Sequence, residues 1–378
     1  MKDPVIFGSG ALGQLPEVLG ELDTESLFLV TGRASFQASG AADAIEGLSR
    51  DFTIEQFSEF QANPQLADVE RGVQQFRQSG CQLLVAVGGG SVIDMAKLIG
   101  LLSVQQASPR DIIVADTAVD RPSPPLIAIP TTAGSGSEAT HFAVVYVDGQ
   151  KYSLADDSLL PTCSIVDPAL TESMPSYQTA VTGLDALCQA VESMWSVGAT
   201  DASRQYSVEA IQLVLEHLAD AVHRPQPANR TGMSLAANLA GKAINITKTT
   251  APHAISYTMT SQFGVPHGHA VALLLGPVMS YNAEVTADDV VDPRGVESVQ
   301  KTMQQLCDLF ECADAEAACD RIRALITSLG LPASLTELGI CSSQDLHKIC
   351  DNVNLQRLAN NPRRLDADSL SAVIQKAA

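Results

Sequence analysis

The 378-residue sequence has few positively charged side chains, few aromatic residues and no long apolar run. Lys and Arg together number 23 against 43 Asp and Glu, which makes the formal net charge −20. Such an excess of negative charge opposes sequence-independent attraction to nucleic-acid phosphates and to anionic lipid. We therefore expect no nucleic acid and no membrane as a partner, and a small molecule instead.

Segments that direct a chain into or across a membrane are also missing. The longest nearly apolar run, residues 270–279, is much shorter than the ~20 residues that span a bilayer. The first residues lead into no apolar stretch typical of a signal peptide. We expect a cytoplasmic protein.

Closely spaced cysteine pairs are absent as well, since the eight cysteines include no C-x-x-C pair. This spacing argues against a thiolate zinc site and against a small disulfide-rich scaffold. Hydrophobic residues make up 46% of the chain and charged residues 17%, a composition typical of a compact protein with a large core. We expect most of the cysteines to be reduced core residues.

The hydrophobic pattern divides the chain into two halves of different kinds. Up to about Val166, short β-rich runs alternate with amphipathic stretches, and the strand candidates are residues 26–30, 83–87, 126–129 and 143–147. From about Pro175 the spacing is helical, most clearly at 180–195, 202–217 and 296–310. We predict an α/β domain with parallel strands over residues 1–175 and a helical domain over residues 176–378.

Two glycine-rich segments compete as a phosphate-binding turn, and the first is the weaker candidate. Gly8, Gly10 and Gly13 match G-x-G-x-x-G, the fingerprint of a dinucleotide-binding turn. The next strand, however, ends without the acidic residue that holds a ribose hydroxyl in such sites. We therefore predict a structural turn at these glycines.

The second segment, Gly-Gly-Gly-Ser at residues 88–91, joins an apolar strand pattern directly to a helical one. Glycines let phosphates approach the backbone, and the first turn of a helix supplies unpaired N–H donors. A loop of small and hydroxyl residues at 130–138 also follows a strand. An ordinary tight turn is the alternative at 88–91, but two such loops in one α/β half favour a dinucleotide site.

Candidate metal ligands lie in the second half. His253 and His267 each follow a proline in apolar helical sequence, and Asp185 and Gln189 lie one helical turn apart. One carboxylate and two imidazoles can close a divalent-metal site. Histidines that are hydrogen-bonded within the core are the alternative interpretation of this pattern.

Taken in order, these segments resemble the iron-containing (group III) alcohol dehydrogenase family over nearly the whole chain. The matching motifs are Gly88-Gly89-Gly90-Ser91-x-x-Asp94-x-x-Lys97, residues 130–138, Gly183-x-Asp185-Ala186 and Pro266-His267-Gly268. The resemblance implies an α/β N-terminal Rossmann-like dinucleotide-binding domain plus an all-α C-terminal metal-binding domain, the architecture of dehydroquinate synthase. It also implies NAD(P)H-linked reduction of a small aldehyde by a homodimer or larger homo-oligomer.

Within that family, residues 184–190 and 245–257 resemble most the branch that reduces phosphonoacetaldehyde to 2-hydroxyethylphosphonate. Three alternatives to this activity stay open. They are a dehydrogenase of the same family that acts on an uncharged alcohol, a diol or lactaldehyde, a lyase related to dehydroquinate synthase, and a metal-free binding protein.

Matching by position assigns the metal to Asp185, His253 and His267, with Gln189 where the family usually has a fourth ligand, a histidine. The resemblance implies Fe²⁺, with Zn²⁺ as the alternative. An uncharged amide is a poorer ligand than imidazole, so Gln189 can lower the affinity for the metal ion or change the metal preference. Tyr257 stands where the family has a further histidine that relays protons. Tyr257 and His269 are therefore the candidate proton donors.

The family's cofactor contacts match positions in the first half of the chain. They are Asn63, Gly89, Gly90, Ser91, Asp94, Thr131, Thr132, Ser135 and Lys151. Gly32 stands where NAD-preferring members have Asp, and the neighbouring Arg33 and Ser35 offer donors to a 2′-phosphate. We therefore expect NADPH in preference to NADH.

A phosphonate group on the substrate needs cationic or hydroxyl donors. The candidates are Lys248, Thr249, Thr250, Arg357 and Arg363. A solvated surface is the alternative interpretation of these side chains, and the net charge of −20 requires any attraction for an anion to be local.

Overall fold

The computed structural model describes residues 5–22, 24–353 and 358–378. The chain divides into two compact units, of which the first ends at Pro175 and also includes Pro225–Ser234. The second unit consists of Ser176–Arg224 and Leu235–Ala378. Residues 225–234, which the sequence pattern placed in the helical domain, thus group with the first unit.

In the described part of the first unit, eight strands form two sheets. They are β1 (Val5–Phe7), β2 (Ser26–Thr31), β3 (Thr53–Phe57), β4 (Leu84–Gly88), β5 (Leu126–Pro130), β6 (Phe142–Val147), β7 (Gln150–Ala155) and β8 (Cys163–Val166). Six of them make a parallel sheet in the order β1-β8-β5-β4-β2-β3. Strands β4, β5 and β8 are buried along their whole length, as expected of a parallel sheet covered on both faces.

The strand predicted at residues 143–147 exists, but its assignment to the parallel layer is wrong. Strand β6 pairs antiparallel with β7 in a separate two-stranded sheet. The connection is Asp148-Gly149, and both residues have positive φ, 51° and 78°. An Asp-Gly pair favours this tight reversal, which joins antiparallel strands and cannot join parallel ones.

Helices cover the parallel sheet of the first unit. They are α1 (Leu15–Glu21), α2 (Arg33–Ala38), α3 (Ala41–Leu48), α4 (Leu66–Ser79), α5 (Gly90–Ser103) and α6 (Pro109–Val114). Successive residues of β2 enter different hydrophobic clusters, since Phe28 belongs to one cluster and Leu29 to the other. The two clusters lie on opposite faces of the sheet because side chains alternate along a strand.

The first glycine segment forms a structural turn. The N–H groups of Gly10 and Leu12 each donate to the Asp167 carboxylate at 3.1 Å. Asp167 is buried, so its own carboxylate occupies the donors that a phosphate would need.

The described part of the second unit contains helices and loops, apart from an isolated bridge between Val290 and Arg363. The helices are α7 (Ser176–Trp195), α8 (Asp201–His223), α9 (Pro227–Thr247), α10 (Ala251–Phe263), α11 (His267–Ala283), α12 (Val296–Leu309), α13 (Ala315–Ser328), α14 (Ser343–Asp351) and α15 (Ala367–Ala377), the first turns of α9 grouping with the first unit. Among the described residues, we find no helix whose length and apolar character would let it cross a bilayer. All eight cysteines are free, and five of them are buried, as expected.

Candidate active site

The segments predicted to bind the dinucleotide follow three neighbouring strands of the parallel sheet. Strand β4 lies between β5 and β2, and Gly88 at its end is opposite Pro130 at the end of β5. The carboxyl ends of parallel strands lie at the same edge of a sheet, where α/β proteins bind nucleotides. The sheet therefore brings together three segments that are far apart in sequence, namely residues 32–35, 89–94 and 131–135.

The glycines at this edge leave a space that a side chain would fill. A Cβ atom at Gly90 would lie 2.6 Å from Ser135 Oγ, and one at Gly89 would lie 3.2 Å from Thr132 Oγ1. The N-terminal capping residue of α5 is Gly89, which has no side chain to bind the N–H groups of the first turn. The Thr131 hydroxyl is buried and has no hydrogen-bond partner among the described residues. Open backbone donors and an unsatisfied hydroxyl fit a bound nucleotide.

Asn63 and Lys151 lie near this turn but on other elements. The N–H of Asn63, in a left-handed conformation with φ 61°, donates to Ser91 Oγ at 3.2 Å. Lys151 is half-buried on β7, and its charge lowers the pKa of Asp94, although burial dominates and raises that pKa overall. Asn63 therefore contacts the glycine turn directly, and Lys151 is close enough to affect the pKa of Asp94.

Asp94 supports the loops around the glycine turn. Ser137 Oγ donates to Asp94 Oδ1 at 2.5 Å, and the Val144 N–H donates to Asp94 Oδ2 at 3.0 Å. Both carboxylate oxygens thus have partners within the protein, whereas the sequence pattern predicted a direct cofactor contact. Asp94 therefore orders the residues that offer groups to a cofactor.

Lys97 has a similar supporting function, which the sequence pattern did not reveal. The side chain is 1% exposed, and Nζ donates to the carbonyl oxygens of Ser137 at 2.6 Å, Thr140 at 2.7 Å and Phe142 at 3.1 Å. Burial lowers the pKa of Lys97 to about 8, against the attraction of the neighbouring carboxylates Asp94 and Glu138. A lysine within the apolar pattern of α5 is the signal that could have identified it.

At the end of β2 lie the residues that were predicted to bind the 2′-phosphate of NADPH. Gly32 caps α2, and Arg33 and Ser35 are exposed. Arg33 Nε donates to the Ser58 carbonyl at a long 3.4 Å. The guanidinium is therefore only weakly held within the protein.

In the second unit, three helices bring the predicted metal ligands together. Asp185 lies in α7, His253 in the first turn of α10, and His267 is the first residue of α11. One potential ligand atom of each residue lies within 4.8 Å of the others, and Asp185 and His253 are buried. One carboxylate oxygen and two imidazole nitrogens at this spacing fit a divalent metal ion. Gln189 is also buried, one turn after Asp185 along α7.

Both ring nitrogens of His253 face carboxylates. His253 Nε2 lies 3.4 Å from Asp185 Oδ1, and Nδ1 contacts Glu192 Oε1. Burial by itself lowers the pKa of His253, but the carboxylates of Glu192 and Asp185 outweigh it and raise the pKa to about 10. Metal binding at Nε2 would therefore release a proton.

Glu192 is the residue of this site that the sequence pattern did not single out. It is fully buried and accepts hydrogen bonds from the Thr250 N–H at 2.6 Å and from the Thr250 hydroxyl at 2.9 Å, in addition to its contact with His253. Asp185, Gln189 and Glu192 occupy positions i, i+4 and i+7 of one helix and so share a face. That spacing is the signal that could have identified it.

Gly268 explains how α11 reaches the site. A Cβ atom at Gly268 would lie 2.1 Å from the carbonyl oxygen of Val181 and 2.8 Å from Asp185 Cβ. Any side chain at this position would push the start of α11 away from α7. Glycine after His267 therefore permits the close approach that places the imidazole beside Asp185.

The two candidate proton donors have different surroundings. The Tyr257 ring is stacked on His267, with ring centroids 6.0 Å apart and an interplanar angle of 18°. His269 is buried, its Nε2 lies 2.7 Å from the Pro332 carbonyl oxygen, and burial lowers its pKa. Tyr257 is therefore beside a metal ligand, whereas the Nε2 proton of His269 is used within the fold, against the prediction for His269.

Two of the predicted phosphonate-binding side chains are engaged within the protein. Arg363 Nε pairs with Asp289 Oδ2 at 2.8 Å, and Nη1 donates to the Tyr281 carbonyl at 2.5 Å. Thr250 is buried and bonded to Glu192. Both positions therefore contradict the expected substrate contact. Lys248 is exposed and Thr249 half-buried, and Arg357 lies outside the described residues.

The models of two protein-family domains match this chain. The model of the iron-containing alcohol dehydrogenase family matches residues 3–168, and the model of the C-terminal part of the Fe-containing alcohol dehydrogenase family matches residues 179–378.

Relatives and solved structures extend this match to individual proteins. Phosphonoacetaldehyde reductase of Streptomyces viridochromogenes is 34% identical over 314 residues, 80% of this chain and 77% of the relative. Choline dehydrogenase of Bacillus subtilis is 34% identical over 281 residues, 73% of this chain and 70% of the relative. The crystal structure of sulfoacetaldehyde reductase from Bifidobacterium kashiwanohense in complex with NAD⁺ matches with a TM-score of 0.89 at 28% identity, covering 99% of this chain and 96% of that one.

The expected architecture, an α/β first unit and a helical second unit, is confirmed by this likeness in fold. Family models cover both units, and the cluster of Asp185, His253 and His267 is present. The chain therefore belongs to the iron-containing alcohol dehydrogenase family and is an oxidoreductase.

Proposed function

We propose that this enzyme reduces phosphonoacetaldehyde to 2-hydroxyethylphosphonate, with NADPH as the hydride donor. The observation that carries the proposal is the cluster of Asp185, His253 and His267, the first two of them buried, in a chain of this family. Similarity to a phosphonoacetaldehyde reductase and to a sulfoacetaldehyde reductase supports an aldehyde that carries an acidic group. Residence in the cytoplasm and assembly into a homodimer or larger homo-oligomer are further parts of the proposal.

Asp185, His253 and His267 would hold Fe²⁺ or Zn²⁺, with Gln189 at the usual fourth position of the family. A divalent metal ion held there supplies Lewis-acid polarisation of the substrate carbonyl. The contribution of the protein is to bury Asp185 and His253, because charges attract each other more strongly away from water. Glu192 and Gly268 keep two of the three ligands in place.

Tyr257 is the residue that we assign to proton delivery. Its ring lies against His267 and follows His253 by one turn of α10. Reduction of an aldehyde needs a hydride at carbon and a proton at oxygen. The Tyr257 hydroxyl would donate that proton to the substrate oxygen, and solvent would restore it.

The preference for NADPH is supported at the end of β2. An acidic side chain at position 32 would repel a 2′-phosphate, and this chain has Gly32 followed by an exposed Arg33. A guanidinium is suited to bind a phosphate through two parallel hydrogen bonds.

An uncharged substrate is the second candidate, and two observations favour it. Arg363 and Thr250, which were expected to bind a phosphonate, have their hydrogen bonds within the protein. The net charge of −20 also opposes the approach of an anion. The chain is 34% identical both to a phosphonoacetaldehyde reductase and to a choline dehydrogenase, so sequence identity to these relatives does not favour an anionic substrate.

The experiment that tests the proposal measures initial rates of NADPH oxidation by protein reconstituted with Fe²⁺ under anaerobic conditions. Phosphonoacetaldehyde is compared with propanal, and NADH with NADPH. A large preference for phosphonoacetaldehyde in kcat/KM would support the proposal, since discrimination by a site built for a charged group is strong. Equal kcat/KM values would favour the uncharged substrate, and no oxidation with either aldehyde would overturn the reductase activity.

A further inference from the structure

We propose that Glu192 is a positioning residue that selects which nitrogen of His253 binds the metal ion. Its carboxylate holds Nδ1 of His253, so that Nε2 is left to face Asp185 and His267. The proposal rests on the metal site of the proposed function and is independent of which aldehyde is reduced.

The Glu192 carboxylate is held in one orientation by donors on both of its oxygens. Oε2 accepts from the N–H of Thr250 at 2.6 Å and from its hydroxyl at 2.9 Å, which leaves Oε1 in contact with His253 Nδ1. Glu192 is 0% exposed, so water does not compete for these positions. The carboxylate can rotate only by breaking buried hydrogen bonds, and leaving buried donors without an acceptor costs free energy.

The direction of the hydrogen bonds is set at the far end of the network by Trp195. The indole Nε1–H of Trp195 donates to Thr250 Oγ1 at 2.8 Å, and an indole nitrogen can only donate. The Thr250 hydroxyl donates its own hydrogen to Glu192 Oε2, which also accepts from the Thr250 N–H, a group that can only donate. An accepting carboxylate at Nδ1 requires that Nδ1 of His253 carry a hydrogen, so the lone pair of the neutral ring lies on Nε2.

His253 Nε2 lies on the side of the ring where the other two ligands are. It is 3.4 Å from Asp185 Oδ1, and the rings of His253 and His267 have centroids 5.2 Å apart. Fixing the proton on Nδ1 therefore directs the metal-binding lone pair toward the ligand cluster. A carboxylate that fixes the tautomer of a ligating histidine also increases the basicity of the ligand.

The first test measures the affinity for Zn²⁺ by competition with a chromophoric chelator in wild type and in Glu192→Gln. Thr250 and His253 Nδ1 lie on opposite oxygens of the Glu192 carboxylate, and a glutamine amide has an acceptor oxygen on only one side, so it can accept from one of them and not from both. We expect the Kd for Zn²⁺ to rise by about 10- to 100-fold. We also expect the d–d absorption spectrum of the Co²⁺-loaded protein to change, which a loss of stability alone would not cause.

Thr302→Val is the matched control, because Thr302 is a buried polar residue of the same unit on α12. It is 2% exposed and bonded to Arg204 at 3.0 Å. We expect ordinary destabilisation and a Zn²⁺ affinity within twofold of wild type. A Zn²⁺ affinity of folded Glu192→Gln that equals that of wild type would overturn the proposal for Glu192.

A second measurement reads out the wild-type protein and does not depend on the folding of Glu192→Gln. Zn²⁺-loaded protein with ¹⁵N-labelled histidine is studied by NMR, and the His253 signals are assigned by their loss in His253→Gln. We expect Nδ1 to be protonated and Nε2 to be metal-bound. Metal binding through Nδ1 would overturn the proposal, whereas failure of wild type to bind Zn²⁺ or Fe²⁺ would overturn the metal site itself.

Discussion

The two functional regions of this enzyme supply their binding groups in different ways. At the glycine turn of the first unit, backbone groups and hydroxyls are offered, and the side chains of Asp94, which is half-buried, and Lys97, which is buried, hold the loops in position. In the second unit, the binding groups are the side chains themselves, and Glu192 holds one of them. A site made of backbone groups therefore depends on the side chains that hold its loops, whereas a site made of side chains depends on each ligand. Substitutions in one region should therefore leave ligand binding in the other region unchanged.

The largest effect is expected on removal of a metal ligand, in His267→Ala. The cluster then retains one carboxylate and one imidazole, so we expect substoichiometric metal and a fall in kcat/KM on the order of 10³-fold. Metal content is measured by mass spectrometry, and NADPH affinity by fluorescence titration is expected to be unchanged. His347→Ala, at an exposed histidine of α14, is the control. Full metal content in His267→Ala would refute the assignment of this ligand.

Lys97→Met should weaken the binding of NADPH and leave the metal content unchanged. Three loop carbonyls lose their buried donor, so we expect the free energy of unfolding to fall by about 1–3 kcal/mol. The KM for NADPH should rise by about tenfold for each 1.4 kcal/mol of lost support, while metal content stays stoichiometric. Urea denaturation and steady-state kinetics check this, with the exposed Lys301→Met as control. An unchanged KM for NADPH would show that cofactor binding does not depend on the hydrogen bonds of Lys97.

Gly32→Asp should change the choice of cofactor and little else. A Cβ at position 32 would lie 2.3 Å from Ser35 Oγ, a small side chain that can rotate away. The new carboxylate would repel a 2′-phosphate and accept from a ribose hydroxyl. We expect the ratio of kcat/KM for NADPH to that for NADH to fall by about tenfold, equivalent to about 1.4 kcal/mol. A ratio that stays constant would place the adenosine ribose elsewhere.

The smallest expected effect concerns His269 and the pH dependence of stability. Burial lowers the pKa of His269 below its ordinary value of 6.5, so the unfolded chain takes up this proton before the folded one does as pH falls. Stability should therefore decrease as pH falls below 6.5, by at most about 1.4 kcal/mol per pH unit from this group. His269→Gln keeps a donor for Pro332 and removes the titration. Urea denaturation between pH 5 and pH 7 should show a shallower slope in the variant, and equal slopes would refute the expectation.

Hydrophobic periodicity predicted three strands of the parallel sheet, at residues 26–30, 83–87 and 126–129, to within one residue. It also predicted α7, α8 and α12, because amphipathic spacing is a local property of the chain. The placement of residues 143–147 in the parallel layer was wrong, although a local signal was present, because Asp148-Gly149 forms a hairpin turn. The strands β1, β3, β7 and β8 were missed. Strands β1 and β8, with 3 and 4 residues, are too brief to show a period, and β3 and β7 are rich in polar residues and largely not buried.

The candidate site shows the same division between local and distant information. The three metal ligands were predicted from residue type and from motif resemblance, and the fold brings them within 4.8 Å. Glu192 was missed and Thr250 was assigned to the substrate, because their hydrogen bond joins α7 to the start of α10. A hydroxyl and a carboxylate that satisfy each other in the core look, in the sequence, like groups available to a ligand.

The sequence by itself determined the class of fold, the position of the glycine turn and three residues that the fold brings together as a candidate metal site. Each of these depends on residue types at short spacing, such as the strand, glycine turn and helix around residues 84–97. Only the tertiary structure decided which polar groups are consumed within the fold, as in the pairing of Arg363 with Asp289. The physical reason is that a buried polar group must find a partner, and in a folded chain that partner often comes from a segment far away in sequence.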